Sequence, residues 1–387
     1  MIDESNKFNI FIQNDALINL KSFLDVKFQY INKLVLITDN IVFDYYENII
    51  NKLHAYVIVI PAGENSKSRE MKAYIEDQMF ELQCGRDTLI LAFGGGVVTD
   101  LAGFVAATYC RGIPTIYIPT TLLAQIDASI GGKTGINTPY GKNLIGAFKQ
   151  PEAVFIDPKF LNTLSDLEYY SAFAEIIKHS LICDKDYFNF ILNNIDKAKN
   201  KDSKFLLETI QKSYEIKLNI VNQDEKERGL REILNFGHTI GHAIEVASNY
   251  TINHGQAVAL GILAESYISC ELKILSLENF QEIQKIINLY NINNILLNIN
   301  HKLDKKDILS NLKLDKKSRA NQVRFVLIQD IGKVYISSKN QYANVIDDSY
   351  ISSGLDLLLE FFSENTWFIK NRQYIWDIVY DNLNLKF

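Results

Sequence analysis

Apolar positions in the first part of the chain fall into short β-branched runs that alternate with helical patterns. Five of these runs predict strands, at residues 33–40, 55–61, 87–96, 115–121 and 153–158. Several runs are apolar at successive positions, which indicates that both faces of those strands are buried by helices. The pattern therefore predicts an α/β N-terminal domain over residues 1–160, with the mostly parallel sheet that is typical of nucleotide-binding proteins.

After about residue 160 the strand patterns give way to long helical periodicities. These occupy residues 165–182, 203–222, 232–248, 255–273 and 278–290. Ser165 and Glu168 form a capping box ahead of the first of them, which predicts a helix start there. A small hairpin is predicted near 323–338. The chain from 161 to 387 is therefore predicted to be a mainly α-helical second domain.

The last part of this domain is a C-terminal extension that begins at about residue 342. It is rich in aromatic residues, and its segments LDLLLEFF and YIWDIVYDNL have helical periodicity. The extension either packs on the second domain or docks a partner, and the sequence leaves both open.

Composition and charge exclude several classes of protein. The chain has 387 residues with 40 Lys and Arg against 46 Asp and Glu, a net charge of −6 that argues against nucleic acid as a partner. No apolar stretch reaches the roughly 20 residues needed to cross a bilayer, so no membrane partner is expected. The four cysteines lie far apart without a CxxC pair, which predicts reduced thiols in a cytoplasmic protein.

A glycine turn ends one of the predicted strands and precedes a predicted helix. Gly94, Gly95 and Gly96 lack the GxGxxG spacing, but glycines here allow a close approach of backbone to a diphosphate at a helix N-terminus. A simple tight turn is the alternative. Asp100, four residues after the last glycine, either caps that helix or faces a cofactor.

Lysines and an amide cluster after the fourth predicted strand. Lys133 follows two glycines, and Lys142 and Asn143 come a few residues later. We interpret this group as a site for an anion such as phosphate, held by point charge and hydrogen bonds. Solvated surface lysines are the alternative.

The helical part contains three of the six histidines between 238 and 254. His238 and His242 are four residues apart and so share one helix face, where they could bind a metal ion or a metal and a substrate. Glu175 lies among apolar residues in a predicted helix and is a candidate further ligand. A chance pair of histidines and a surface Glu175–Lys178 ion pair are the alternatives.

Arg231 and Asn235 extend this pattern. With His238 and His242 they follow helical spacing of i, i+4, i+7 and i+11, which predicts one stripe on a single helix. Such a stripe suits a small, anionic, polyhydroxylated substrate beside a metal.

Six motifs occur in order along the chain. They are GGGVVTDLAGFVAATYCRG, IPTTLLAQIDASIGGKTGIN, GKNLIGAF, AEIIKH, LNFGHTIGHAIE and HGQAVA. With them the chain closely resembles the 3-dehydroquinate synthases, of the sugar-phosphate cyclase group, from about residue 30 to about 340. The resemblance implies conversion of 3-deoxy-D-arabino-heptulosonate 7-phosphate to 3-dehydroquinate and phosphate, in the shikimate pathway to chorismate and the aromatic amino acids. The steps it implies are transient oxidation by NAD⁺, phosphate elimination, re-reduction and aldol closure.

The resemblance also implies cofactors and their residues. It implies a metal ion, Zn²⁺ or Co²⁺, on Glu175, His238 and His254, and NAD⁺ in a cleft between the domains. The residues implied for the cofactor are Asp39, Glu64, Lys67, Gly95, Gly96, Asp100, Thr120, Thr121, Lys133, Lys142, Phe160, Thr163 and Glu168. Arg111 matches an arginine that reaches the phosphate site of a neighbouring subunit, so a homodimer is expected.

Substrate roles are implied in the same way. Lys217 and Arg231 would hold the substrate carboxylate. Five residues would hold the phosphate: Lys133, Asn143, Asn235, His242 and Lys316. Three more would orient hydroxyl groups around the metal: Asp127, Lys178 and Glu227.

The chain departs from the family pattern at three positions near the site. Gln256 replaces a usual Glu, Ala128 a common Ser and Ala172 a usual Gly, and these changes bear on rate more than on reaction type. Other functions stay open, namely an aminodehydroquinate or 2-deoxy-scyllo-inosose synthase, a metal-dependent polyol dehydrogenase of the glycerol dehydrogenase type, or an inactive homologue that acts as a scaffold.

Overall fold

The computed structural model describes residues 9–227, 229–290, 292, 303–318 and 322–363, without the side chains of 314–318 and 360–363. The chain forms two compact units. The first comprises Met1–Tyr169 and Asp196–Asn219, and the second comprises Tyr170–Ile195 and Ile220–Phe387. The hydrophobic pattern gave no sign that Asp196–Asn219 groups with the first unit. The domain limits at 160 and 161 stay a prediction.

The first unit is built on a parallel sheet. Its strands are β1 (Asn9–Ile12), β2 (Lys33–Asp39), β3 (Tyr56–Ile60), β4 (Thr88–Gly94), β5 (Thr115–Pro119), β6 (Lys133–Thr138), β7 (Gly141–Phe148) and β8 (Ala153–Ile156). Six of them form a sheet in the order β1-β8-β5-β4-β2-β3, with every pairing parallel. The five predicted strands and the parallel α/β class are confirmed. β1 and the antiparallel hairpin of β6 and β7 were not predicted.

The helices of the described residues complete the two units. They are α1 (Leu20–Lys27), α2 (Asn40–Asn51), α3 (Arg69–Glu81), α4 (Gly96–Thr108), α5 (Asp166–Cys183), α6 (Lys185–Asn193), α7 (Ile195–Lys199), α8 (Ser203–Gln223), α9 (His238–Ala247), α10 (His254–Glu271), α11 (Leu277–Leu289), α12 (Lys305–Ser318) and α13 (Asp348–Ser363). None of these helices is long and apolar enough to span a bilayer. The mainly helical character predicted for the second part of the chain is confirmed.

The core of the first unit explains its continuous apolar runs. All seven residues of β4 are buried, because β4 lies between two neighbouring strands and beneath helices. Phe11 of the edge strand β1 stacks on Phe155 of β8 with ring centroids 4.5 Å apart. Full burial of a side chain such as Phe155 contributes about 1.5–3 kcal/mol, and the half-buried Phe11 gains part of this, so these rings stabilise the strand that the sequence pattern missed.

The start of α9 differs from the prediction. Residues Leu230–Asn235 form a 3₁₀ segment, and Gly237 then adopts φ of 77° before α9 begins at His238. A helix cannot continue through a left-handed residue. Arg231 and Asn235 are therefore on a different element from His238 and His242, and the predicted single stripe is wrong.

The last strands and the last helix of the described chain pack within the second unit. β9 (Phe325–Val326) pairs with β12 (Ala343–Asn344), and β10 (Ile328–Asp330) pairs with β11 (Lys333–Val334) in the predicted hairpin. In α13, a Cβ on Gly354 would lie 3.2 Å from the carbonyl oxygen of Ala264 in α10, so the two helices pack closely. The segment LDLLLEFF thus forms part of a helix packed on its own domain, whereas YIWDIVYDNL lies outside the described residues.

Candidate active site

Three side chains of the second unit converge on one point. Nε2 of His238 lies 3.2 Å and Nε2 of His254 lies 3.4 Å from the same oxygen of Glu175, Oε1. Glu175 comes from α5, and the two histidines are the first residues of α9 and α10. Ligands about 2 Å from a tetrahedral Zn²⁺ ion are about 3.3 Å apart, so these donor atoms fit one such ion.

Hydrogen bonds set the tautomers of the two imidazoles. Nδ1 of His238 lies 3.1 Å from the carbonyl oxygen of Phe236, which only accepts, so Nδ1 carries the proton. Nδ1 of His254 lies 3.3 Å from the Oε2 atom of Glu245 and donates to that carboxylate. Both rings thereby direct Nε2 toward Glu175, as metal ligation requires.

The charges around Glu175 favour its ionised form. The side chain is 1% exposed and pairs with Lys178. Burial alone would raise the pKa of Glu175, but Lys178 and His238 hold it well below its usual range. Burial similarly opposes protonation of His254, and the hydrogen bonds to Glu175 and Glu245 nevertheless raise its pKa to about 10. A metal ion would therefore replace a proton here.

His242 lies beside this group without joining it. Its ring centroid is 5.2 Å from that of His238 and 6.2 Å from that of His254. Among the described residues, the donor atoms of Glu175, His238 and His254 lie within 4.8 Å of one another, whereas His242 shares such a group with Glu245 and His254 and not with Glu175. Spacing alone could not separate these roles.

The loop before α9 holds several predicted substrate ligands. Oδ2 of Asp224 accepts a hydrogen bond of 3.1 Å from the backbone N–H of Arg231. Nη1 of Arg231 donates to the carbonyl of Glu225 at 2.6 Å, and Nδ2 of Asn235 donates to Oε1 of Glu227 at 2.8 Å. The loop therefore arranges a cation, an amide and a carboxylate before any substrate binds.

In the first unit, the glycine turn lies at a topological switch point. β2 and β4 are neighbours, yet the chain leaves them in opposite directions, toward β3 and β5. Open α/β sheets bind ligands at such points. A Cβ on Gly95 would lie 2.9 Å from Cγ2 of Thr121, and in the described residues no side chain caps the first turn of α4. The turn thus fits a dinucleotide phosphate, because its backbone N–H groups can donate hydrogen bonds to an anion.

Lys67 is the centre of a hydrogen-bonded cluster in the same unit. Its Nζ atom lies 2.7 Å from Oδ2 of Asp100, 2.6 Å from Oδ1 of Asn143 and 3.8 Å from Oε1 of Glu64. Nδ2 of Asn137 donates to Glu64 at 2.7 Å. Desolvation raises the pKa of Asp100 although Lys67 opposes it. The structure therefore brings the sequence neighbours Glu64 and Lys67 together with Asp100 and Asn143, which are distant in sequence, and Asn137 is an unpredicted member.

The hairpin of β6 and β7 separates the predicted anion-binding lysines. Lys133 pairs with Phe148 at its open end, whereas Lys142 and Asn143 lie beside the turn. Four residues of strand, or about 13 Å at 3.3 Å per residue, separate the backbones of Lys133 and Asn137. The structure therefore places Lys142 and Asn143 together and does not place the backbone of Lys133 with them.

Two other predicted substrate ligands of the first unit bind each other. Nζ of Lys217 lies 2.6 Å from Oδ1 of Asp127 and 2.6 Å from its carbonyl oxygen. Asp127 lies in a one-turn π-helical segment, Ala124–Ala128. Such segments are frequent at functional sites. A ligand that binds Asp127 or Lys217 therefore competes with the ion pair between them.

The remaining cofactor-related side chains, apart from the buried hydroxyl of Thr120, have structural partners among the described residues. Asp39 accepts from the backbone N–H of Val42 and caps α2, and burial raises its pKa. Oγ1 of Thr163 lies 2.7 Å from the hydroxyl of Tyr46, whose ring packs edge-on against Phe160. Thr120 is buried, Thr121 accepts from the backbone N–H of Ala124, and Glu168 accepts from Ser165 in the predicted cap.

Arg111 and Lys316 are the two remaining predicted site residues. Arg111 is exposed and has φ of 68°, between Cys110 at 51° and Gly112 at 115°, so three successive residues are left-handed. Lys316 belongs to α12, but its side chain lies outside the described part of the structure.

Sequence reasoning missed several residues around these sites. The hydroxyl of Tyr46 hydrogen-bonds Thr163, and the carboxylate of Asp224 accepts from the backbone N–H of Arg231. Glu245 and Glu265 are carboxylates buried between α9 and α10. Burial raises the pKa of Glu265 to about 8 although backbone N–H groups oppose this. The usable signal was a lone Glu in the apolar segments HAIEVA and LAESYI, because a buried carboxylate is costly unless it has a role.

Comparison with known proteins gives a consistent result. Family models described as 3-dehydroquinate synthase N-terminal and C-terminal match residues 57–171 and 172–318. The 3-dehydroquinate synthase of Rippkaea orientalis is 41% identical over 86% of this chain and 92% of its own, and that of Campylobacter fetus is 38% identical over 89% and 96%. The solved 2-epi-5-epi-valiolone synthase of Streptomyces hygroscopicus, with NAD⁺ and Zn²⁺ bound, is 25% identical with a TM-score of 0.81, covering 93% of this chain and 98% of that one. The chain belongs to the 3-dehydroquinate synthase family.

Proposed function

We propose that this chain converts 3-deoxy-D-arabino-heptulosonate 7-phosphate to 3-dehydroquinate and phosphate, with NAD⁺ and a divalent metal, Zn²⁺ or Co²⁺, as cofactors. The convergence of Glu175, His238 and His254 on one point is the observation that carries the proposal. Identity near 40% to 3-dehydroquinate synthases over most of the chain favours this substrate over those of other cyclases and of polyol dehydrogenases.

The cofactors would be held by residues of different units. Glu175, His238 and His254 would ligate the metal in the second unit, and the glycine turn at Gly94–Gly96 would receive the dinucleotide phosphates in the first. When bound, the metal supplies Lewis acidity toward a substrate oxygen, and NAD⁺ supplies a reversible hydride acceptor. The reaction has no net redox change, because the substrate and the product plus phosphate are at the same oxidation level.

Residues of the second unit would contribute to binding both charged groups of the substrate. Arg231, with its planar array of donors, suits a carboxylate, and its backbone is already fixed by Asp224. Asn235 and His242 would hold the phosphate. Elimination of phosphate takes a proton from the adjacent carbon, and the phosphate itself is a base within reach, so these residues would orient the leaving group.

Lys178 and Glu227 would orient the hydroxyl groups of the substrate. Lys178 also keeps Glu175 ionised, so its loss would affect the metal ligand as well as the substrate. In the first unit, Asp127, Lys133, Asn143 and Lys217 would be substrate ligands, and the Lys217–Asp127 pair would reorganise when a substrate takes one of them.

The direct test is a reconstituted assay. The protein is incubated with the heptulosonate phosphate, NAD⁺ and Zn²⁺, and phosphate release and product mass are measured. We expect phosphate and 3-dehydroquinate in equal amounts without accumulation of NADH. Net NADH formation would instead indicate a polyol dehydrogenase, and a carbocyclic product with an amino group from an amino substrate would indicate the aminodehydroquinate reaction.

Arg231→Ala separates substrate binding from cofactor binding. We expect calorimetry to show a loss of substrate affinity much larger than any loss of NAD⁺ affinity. Arg324→Ala is the matched control, because Arg324 is exposed and contributes its backbone carbonyl, not its side chain, to the hydrogen bond with Thr239. Equal losses for substrate and NAD⁺ in Arg231→Ala would contradict the carboxylate role.

We also propose that the protein is a cytoplasmic homodimer. Arg111 would reach the phosphate site of the neighbouring subunit, which its exposure permits. Sedimentation of the purified protein at several concentrations tests the dimer. Mixing Arg111→Ala with a variant that is inactive through its own metal site tests the shared contact. Recovery of activity in the mixture would support the contact, and no recovery would contradict it.

A further inference from the structure

The two helices that carry the imidazole ligands touch through their backbones. A Cβ on Gly261 of α10 would lie 1.8 Å from the carbonyl oxygen of Gly237, and a Cβ on Gly241 of α9 would lie 3.0 Å from that of Ala257. Only glycine allows this approach. The side chains of each helix can therefore reach the first turn of the other.

Glu265 of α10 reaches the first turn of α9. It is fully buried, and its Oε2 and Oε1 atoms accept hydrogen bonds from the backbone N–H groups of Gly237 at 2.7 Å and Ile240 at 3.1 Å. An N-cap side chain normally satisfies such donors, but glycine at this position has none. Glu265 supplies the missing cap from another helix, and the residue it holds in place is His238.

Glu245 of α9 makes the converse contact. Its Oε2 atom lies 3.3 Å from Nδ1 of His254, the first residue of α10. The side chain of Glu245 is 7% exposed, and the contact fixes both the rotation and the tautomer of the imidazole. Each helix thus begins with one imidazole of the candidate metal site and carries one buried carboxylate, Glu245 or Glu265, that acts on the start of the other helix.

We propose that Glu245 and Glu265 are positioning residues of the metal centre, each fixing the imidazole at the start of the partner helix. The proposal rests on the metal site of Glu175, His238 and His254 proposed above. It accounts for two carboxylates in a closely packed helix pair, where apolar residues would otherwise be expected. Neither carboxylate is proposed to touch substrate or metal.

Metal affinity tests the role of Glu245 without reference to turnover. The metal-free full-length protein is titrated with Zn²⁺ in competition with a chromophoric chelator. We expect Glu245→Leu to lower zinc affinity about 10–100-fold. Glu245→Gln keeps an oxygen that accepts from Nδ1–H, so it should lose much less. Glu271→Gln, at the last residue of α10, is the charge-matched control and should bind Zn²⁺ like the parent.

The visible absorption of the Co²⁺-loaded protein tests the role of Glu265, because it reports ligand geometry. In Glu265→Gln the amide N–H₂ group would face a backbone N–H, so the first turn of α9 should shift. We expect weaker or shifted Co²⁺ bands and lower zinc affinity, while circular dichroism shows that the variant keeps its helices. A merely structural role would lower the melting temperature and leave the spectrum unchanged.

These measurements distinguish failure of the positioning role from failure of the proposed metal site. Parent-like zinc affinity in Glu245→Leu, or a parent-like Co²⁺ spectrum in a folded Glu265→Gln, would overturn the positioning role of that residue. Parent-like zinc affinity in His254→Ala would instead remove the metal site itself.

Discussion

Gly261→Ala adds one methyl group at the closest contact between α9 and α10. The new Cβ would lie 1.8 Å from the carbonyl oxygen of Gly237. Ordinary contact requires about 3.5 Å, so this oxygen and the first turn of α9 must move by about 1.7 Å. No side chain can absorb the shift, because the atom that is struck belongs to the backbone.

The energetic result is the difference between two opposing effects. Overpacking of this kind costs about 1–3 kcal/mol, and a backbone clash belongs at the upper end of that range. Alanine is about 1 kcal/mol better than glycine within a helix. We therefore expect a net loss of about 2 kcal/mol, which corresponds to a fall of about 4–8 °C in the melting temperature for a unit of this size.

Calorimetry and zinc titration check both parts of the argument. The melting temperature should fall as calculated, and zinc affinity should fall with it because His238 moves. Gly85→Ala is the control, since among the described residues its Cβ would meet the carboxylate of Asp87, at the end of a flexible side chain. A Gly261→Ala protein with the stability and zinc affinity of the parent would refute the backbone contact.

Three further predictions address other parts of the molecule. Lys67→Met leaves Asp100 with no cation at 2.7 Å, and since that side chain is 20% exposed we expect a cost of about 1–2 kcal/mol in urea unfolding, together with weaker NAD⁺ binding by calorimetry. Tyr46→Phe removes the hydroxyl bonded to Thr163 and should cost about 1 kcal/mol in the same assay. Zn²⁺ at 100 times its dissociation constant should stabilise the metal-free parent by about 2.7 kcal/mol, reversibly on chelation, and should not stabilise His254→Ala.

Each of these has a matched comparison. Lys72→Met breaks the half-buried pair of Lys72 with Glu76 in α3 and should leave NAD⁺ binding unchanged. Tyr45→Phe changes an exposed neighbour of Tyr46. If Lys72→Met weakens NAD⁺ binding as much as Lys67→Met does, the loss is not specific to the contact of Lys67 with Asp100. If Tyr45→Phe lowers the free energy of unfolding as much as Tyr46→Phe does, the loss is not specific to the Tyr46–Thr163 hydrogen bond. Zinc stabilisation of His254→Ala equal to that of the parent would contradict the ligand set.

The fold was predictable where one local pattern decides the structure. The continuous apolar run of β4 predicts a strand buried on both faces, and that is what the structure contains. β1 has only four half-buried residues, so its place depends on pairing with β8, which no local pattern encodes. The periodicity of apolar positions also predicted a helix that continues through Gly237. That prediction failed because periodicity contains no information about the backbone dihedral angle of Gly237.

The candidate site was predictable to a different extent. Spacing placed His238 and His242 on one face, but only the family resemblance implied a metal role for His254 and a substrate role for His242. Glu245 and Glu265 act across the contact of two helices, so their partners are fixed by tertiary packing and not by sequence spacing. Ordered motifs therefore identified the residues of the candidate metal site, and the residues that hold them in place required coordinates.

The pairing of β1 with β8 has a consequence for synthesis of the chain on the ribosome. Ile12 pairs with Ile156, so the first strand emerges long before β8, its neighbour in the described part of the sheet, exists. At about 5–20 residues per second, the delay between these two positions is roughly 7–30 s. During that time the apolar face of β1 is exposed in the nascent chain, and chaperone binding or a delay in closing the sheet edge is expected there before any other part of the first unit.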